Sequence, residues 1–394
     1  MLSISGNFDM NLLYVSNARM PTEKAHGWQI VKMCESFADA GAKVDLFVPD
    51  RRKNNPIKQD AFEHYGIKEN FKIQYAWCWD LVGQSRLGFY IQVGTFTLSA
   101  LVKTIFKKTD ALYTRDEVFA WSMSWFKKNV FYEMHDYPRA HFWLYKGLFK
   151  RIRKIISTNQ IKKDRLIKEF GVDEKKIVVQ RNGVDLSAFE SNKVEKVHGI
   201  FNVPSEKKII SYIGKYKTFG QSKGVENLID VFSKLQKENN DVFLLMTIID
   251  RYSEFEEVKN IFQKYTVPDS SYRIQTHASR DIVQGFMQLS DVLIMNYPNT
   301  EHYAQFMSPL KMFEYMASGT PIVSTDLPSI REVLNENNAV LVAPDNSEAL
   351  KQGITRVLND NDFAQRISKQ AMEDVRKYDW KNRAQSLLRI MQST

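Results

Sequence analysis

Apolar residues come along this chain in two rhythms: short dense runs, and longer stretches spaced at three and four. The first dense run is NLLYVS, Asn11 to Ser16, and a polar loop from Asn17 to Gly27 follows it. In the next stretch, WQIVKMCESFADAG, Ile30, Val31, Cys34, Phe37 and Ala38 share one helical face and Gly41 ends it. Further dense runs are KVDLFVP, IQYAW (73–77), ALYT (111–114), VFYEM (130–134), IIST (155–158) and IVVQ (177–180). After Glu190 the polar stretch SNKVEKVHG reads as a linker, and then the rhythm restarts. IISYIG (209–214), VFLLMTII (242–249), YRIQT (272–276), VLIMN (292–296), PIVS (321–324) and AVLV (339–342) alternate with helical stretches. Runs that are apolar throughout belong to strands covered on both faces, so parallel sheets clothed in helices are expected. The fold class is therefore α/β, with two Rossmann-like domains facing each other across a cleft. In such folds ligands bind at the carboxyl ends of the strands.

Composition narrows the class. A chain of 394 residues with 43% hydrophobic and 26% charged residues is long enough for two real cores. Cys34 and Cys78 are its only cysteines, too few for a disulfide framework, and read as buried thiols in a reducing compartment. The opening ten residues carry no basic, then apolar, leader pattern. The longest near-apolar stretch, Gly88 to Leu101, is too short to span a bilayer. A cytoplasmic protein, touching the inner face of the plasma membrane at most from the side, is expected.

Charge is distributed unevenly. Residues 1–190 hold 30 basic and 21 acidic residues, so the whole +9 excess lies there. It concentrates in FKK, WFKK and YKGLFKRIRKII. A basic face interleaved with aromatics suits anionic lipid headgroups better than nucleic acid, and no nucleic-acid partner is expected. Lys146 to Lys154 is the expected docking segment; a merely solvated basic face is the alternative.

Four places could carry chemistry. Gly27, before a helix, would let the backbone approach a phosphate, although the loop lacks the GxGxxG pattern that holds a dinucleotide. His135 follows VFYEM, at the carboxyl end of a strand. Lys215 and Lys223 bracket the glycine-containing loop GKYKTFGQSKG between a strand and a helix, where both could reach a diphosphate. In SPLKMFEYMASG, Ser308 reads as an N-cap and Pro309 as the first helical turn, whose free amides favour an anion. Glu314 lies one to two turns in. It would accept hydrogen bonds from ribose hydroxyls, unless it pairs with Lys311 at helical spacing.

Taken in order, the Gly27 loop, EMHD, RNGVDLSAFE, GKYKTFGQSKGVENLIDVF and SPLKMFEYMASGTPIVSTDLPSIREVL resemble the GT-B glycosyltransferases of the retaining family 4 (glycosyl transferases group 1). The resemblance covers nearly the whole chain, including YDWKNRAQSLLRIM, similar to that family's closing helix. It implies an acceptor-binding domain over 1–190, a nucleotide-sugar-binding domain over 191–375, and a helix over 376–394 crossing back. It assigns Lys223, and Lys215 where the family usually has Arg, to the donor diphosphate, with Gly27 beneath it. Ser308, Pro309 and Leu310 would line phosphates and sugar, Glu314 would hold the ribose, and His135 would contact the donor sugar. The first glutamate of the family's signature falls on Phe306, which cannot accept a sugar hydroxyl, so donor identity does not transfer. No metal or cofactor is implied, since lysines and a helix dipole take the cation's place. The implied activity is retaining transfer of a hexosyl-type sugar from a UDP- or GDP-linked donor to a lipid-linked or oligosaccharide acceptor. Bacterial surface polysaccharide, capsule or O-antigen, would be the product. The alternatives are a non-catalytic GT-B subunit that binds a partner or membrane, and a sugar-nucleotide 2-epimerase.

Overall fold

In the computed structural model, residues 8–201, 203–218, 220–248, 252–276 and 278–393 are described. The chain divides into two compact units, one of residues 1–181 with 380–394 and one of residues 182–379.

The first unit is built on seven parallel strands, β1 (Asn11–Val15), β2 (Lys43–Pro49), β3 (Lys72–Ala76), β4 (Ala111–Thr114), β5 (Val130–Met134), β6 (Lys154–Ser157) and β7 (Ile177–Val179). They lie in the order β3-β2-β1-β4-β5-β6-β7. Leu12–Val15 of β1 pairs in register with Ala111–Thr114 of β4, and both strands are almost fully buried. The order reverses at β1, so the loops after β1 and β4 leave the sheet side by side at the position where α/β folds seat ligands. The helix Trp380–Gln392 belongs to this unit, burying Trp380, Ala384, Leu387 and Leu388.

The second unit pairs β8 (Lys208–Gly214), β11 (Val242–Ile248), β12 (Tyr272–Thr276), β13 (Val292–Met295), β14 (Ile322–Thr325) and β15 (Val340–Val342), all parallel. Their order is β12-β11-β8-β13-β14-β15. A two-stranded hairpin, β9 (Lys217–Thr218) and β10 (Gln221–Ser222), stands outside that sheet. Every residue of β11 is buried, which is why VFLLMTI shows no polar alternation.

The expected linker after Glu190 is instead a helix, Val194–Phe201. Val194, Val197 and Phe201 recur at helical spacing; Val197 is buried and the Phe201 ring meets Phe286 at 5.0 Å. Tertiary contact supplies the apolar surface that makes this polar stretch fold.

The basic docking segment also needs correction. Within the helix Phe142–Arg151, Leu148 and Phe149 are 0% and 4% exposed, so they fill the core and offer nothing to a lipid. The segment's backbone and part of its charge are engaged locally. Lys176 Nζ donates to the carbonyls of Phe149 and Lys150, and Lys154 Nζ to that of Lys175. Arg151 donates to Gly147 O and lies 3.6 Å above the Trp125 ring.

Candidate active site

In the first unit the chemistry gathers at the tips of β4 and β5. His135 directly follows β5, and its Nε2 is 2.8 Å from Glu133 Oε1. Glu133 is wholly buried and also receives Arg383 Nη2 at 2.7 Å and the Tyr113 hydroxyl. Burial alone would raise the Glu133 carboxyl, but the Arg383 charge, the His135 hydrogen bond and the Arg115 charge hold it well below the usual carboxylate range. An ionised carboxylate only accepts, so His135 Nε2 carries the hydrogen and Nδ1 presents a lone pair. Burial, reinforced by the Arg115 charge, pushes the imidazole down to about 4 against the pull of Glu133, so it is neutral at physiological pH. The turn it stands on is pinned from below: buried Lys162 donates to His135 O at 2.9 Å and to the Thr158 hydroxyl.

Gly27 is not the open loop glycine expected. The helix begins at Ala25, so Gly27 sits in its first turn, its N–H bonded to Lys24 O. A Cβ there would stand 2.3 Å from the Tyr65 hydroxyl and 2.4 Å from the Thr22 methyl. That hydroxyl is clamped between Thr22 N and Thr22 O, at 2.7 and 2.8 Å, so it cannot give way. The close approach that requires glycine here is made by the chain's own Tyr65 and Thr22.

In the second unit the predicted residues converge on the carboxyl ends of the neighbouring strands β8 and β13. β8 ends at Gly214, whose φ of +144° few side chains tolerate. Lys215 follows, its carbonyl held by the Tyr212 hydroxyl at 2.9 Å. The β9–β10 hairpin then returns the chain, and the Lys223 N–H closes onto Tyr216 O at 3.0 Å. Gly224, at φ +74°, opens the helix Val225–Glu238. A Cβ on it would fall 1.9 Å from Asn296 O, just past β13, and Asn296 Nδ2 donates back to Gly224 O at 2.9 Å. Asn296 therefore fixes where Lys223 stands, a role with no sequence signal of its own.

The opposite wall runs from β13 toward β14. Phe306 ends a π-helical turn, His302–Phe306, and is buried. The helix that follows is Leu310–Ser318. Its N-cap is Pro309, not Ser308, because Pro309 keeps an extended ψ of 132°. Ser308 lies outside the helix, and its carbonyl accepts from Asn182 Nδ2 at 2.6 Å. Pro309 itself supplies no side-chain cap to this end. Met312 N bonds Pro309 O, so the first-turn amides of Leu310 and Lys311 carry its positive end. Glu314 pairs with Arg280, Nη2 to Oε1 at 2.8 Å, rather than with Lys311. Its Oε2 has no protein hydrogen bond among the described residues. Lys311, which composition and spacing did not mark as a site residue, turns inward, and Lys223 is the charge it feels. No cluster of three or more His, Cys, Asp or Glu side chains suited to a metal occurs among the described residues.

Residues 193–374 match the family described as Glycosyl transferases group 1, and residues 27–188 match Glycosyltransferase Family 4. An uncharacterised glycosyltransferase of Methanocaldococcus jannaschii is 25% identical over 60% of this chain and 59% of its own length. A phosphatidyl-myo-inositol mannosyltransferase of Mycolicibacterium smegmatis is 23% identical over 54% of this chain and 50% of its own. The matches thus span between half and three-fifths of those relatives. Among solved structures, the sucrose-phosphate synthase of Thermosynechococcus elongatus superposes with a TM-score of 0.76 at 15% identity, over 98% of both chains. HepE of Anabaena, solved with UDP and glucose, has a TM-score of 0.76 at 15% identity, covering 98% of this chain and 100% of its own.

Proposed function

Since the chain belongs to the glycosyl transferases group 1 family and has the GT-B fold, we propose that it transfers a sugar from a UDP- or GDP-linked donor to a lipid-linked or oligosaccharide acceptor. Anomeric configuration is retained in this reading, and the product is a bacterial surface polysaccharide. The observation that carries it is the second unit's strand-end site: Lys215 and Lys223 beside a helix start, with Glu314 one turn further in. Negative charge grows on the leaving diphosphate as the glycosidic bond breaks, and the lysines and the Leu310 and Lys311 amides oppose it where it develops. Glu314 Oε2 takes a ribose hydroxyl while Arg280 holds Oε1. In the first unit, neutral His135 presents Nδ1 as an acceptor suited to a sugar hydroxyl. Support for a nucleotide donor comes from the UDP and UDP-glucose bound by the Anabaena neighbour, and for a lipid acceptor from the mannosyltransferase relative.

Buried Phe306 favours a second reading, a non-catalytic subunit, because it stands where the family's first signature glutamate is expected. A hydrolysis and transfer screen of the full chain across UDP- and GDP-sugars separates the two. Turnover of one donor is expected, undiminished by EDTA because lysines replace the cation. No turnover of any donor would leave the subunit reading. Loss with EDTA, restored by Mn²⁺, would overturn the metal-free site.

The same reading places the protein on an anionic membrane, through a different face from the basic helix. On the helix Arg86–Thr104, Leu87, Tyr90, Leu98 and Val102 form an exposed stripe continued by Phe106, and Leu98, Val102 and Phe106 are 64%, 68% and 92% exposed. Exposed Trp79 is tied to this helix through its N–H to Thr95 Oγ1, at 3.1 Å. Arg86, Lys103 and Lys108 flank the stripe. Apolar residues ringed by cations fit the boundary between acyl chains and anionic headgroups. Co-sedimentation with anionic vesicles should fall at least tenfold in Leu98→Asp/Val102→Asp and weaken in high salt. Equal binding to zwitterionic vesicles, or indifference to the substitutions, would remove the membrane from the proposal.

A further inference from the structure

Lys311 is an oddity among the buried charges of this chain. Its Nζ is shielded from solvent and has no hydrogen-bond partner among the described residues. Three tyrosine rings enclose it, with centroids 4.3 Å (Tyr212), 4.9 Å (Tyr297) and 5.9 Å (Tyr315) away. Glu314, three residues on, is turned to Arg280. An amine buried without an anion lowers stability, and nothing in the fold gains hydrogen bonds from this one. Such a group points to a ligand that completes it.

Its surroundings identify the ligand's chemistry. Nζ lies 3.7 Å from where a Cβ would stand on Gly214, directly against the turn that ends β8. The residue itself occupies the first turn of the helix Leu310–Ser318, so its own amide and its side chain belong to one anion-favouring region. The Lys223 charge acts on it from the hairpin side. The Lys311 and Lys223 amines and a helix start converge here, which suits a group carrying more than one negative charge.

We propose that Lys311 is a concealed third cation of the diphosphate site, its buried Nζ without a hydrogen-bond partner among the described residues and completed as a nucleoside diphosphate settles on the Gly214 turn. The inference rests on reading the second unit as a nucleotide-sugar site. The groups facing Nζ are Tyr212 from β8, Tyr297 from the segment after β13, Tyr315 from its own helix and Lys223 from the hairpin. Burial pushes all three phenols up, so they remain neutral. Burial pushes the Lys311 amine well down, and the Lys223 charge pushes it further in the same direction. Arrival of a diphosphate reverses the sign of the local field, and the amine takes a proton from solvent. The proton then stays for the leaving group, adding a charge at the moment it is required without holding one in the free protein.

Calorimetric titration of the full chain with UDP, GDP and pyrophosphate, in buffers of differing ionisation heat at pH 8, tests this. The wild type should take up close to one proton per bound diphosphate. Lys311→Met should abolish that uptake and weaken binding tenfold or more, with its melting temperature unchanged or raised because a desolvated amine has become an apolar side chain of similar volume. A lowered melting temperature with uptake and affinity retained would make the amine a structural member of the tyrosine cage and overturn the proposal. So would diphosphate binding without proton uptake in the wild type. If neither UDP, GDP nor pyrophosphate binds the wild type, the nucleotide-sugar reading itself falls, and this inference with it.

Discussion

Lys223→Ala will lower turnover roughly a hundredfold or more while leaving the fold intact, by analogy with losing one preorganised electrostatic contact. The backbone at this position is fixed independently of the side chain. Its N–H bonds Tyr216 O, and Gly224 beside it is wedged against Asn296. Truncation therefore removes a charge without moving the hairpin. The effect should appear in kcat more than in KM, since the charge it opposes develops as the diphosphate leaves. Removing Lys223 also lifts the repulsion on Lys311, so the variant's residual rate should decline at a higher pH than that of the wild type. A turnover within about threefold of wild type would take Lys223 out of the mechanism.

Arg383→Met will destabilise the first unit by about 3–5 kcal/mol, the usual range when one partner of a buried ion pair is removed. Both side chains are almost fully buried, and Arg383 also donates through Nε to Arg181 O at 2.8 Å. Without the guanidinium, Glu133 stays in the core with His135 and Tyr113 and only the weaker pull of the Arg115 charge. The pH dependence follows from the directions of the shifts. In the wild type the Glu133 carboxyl lies below its unfolded value, so it contributes stability above that value and loses it as pH falls through the folded one. In the variant burial dominates and raises the carboxyl, so acidification relieves the strain. The gap between the two proteins in urea should narrow from pH 7 to pH 5, and Arg383→Met/Glu133→Gln should recover part of the loss. A constant gap, or one below about 1 kcal/mol, the net value of an ordinary hydrogen bond, would show that the pair is not what ties the closing helix to the sheet.

How far the site was legible depends on whether its signal is local. ALYT and VFYEM coincide with β4 and β5 because a strand buried on both faces must be apolar at every position. His135 could be placed at a strand end for the same reason. Lys223 and Gly224 were readable as a loop before a helix. The boundaries that moved were set by distant partners: SNKVEKVHG became a helix once Phe201 found Phe286, and Leu148 and Phe149 left the basic surface for the core.

The sequence by itself determined the repeated strand–helix order, the parallel sheets and the ordered motifs that mark the family, since each rests on periodicity or on residues close together in the chain. Only the tertiary structure decided which groups those motifs face. Gly27 answers to Tyr65, 38 positions on, and Glu133 to Arg383, 250 positions on. Glu314 pairs with Arg280 instead of its helical neighbour, which frees Lys311 to turn inward among three tyrosines drawn from separate segments. Whether a carboxylate or an amine is paired depends on contacts between residues far apart in the chain, and hydrophobic spacing carries no record of them.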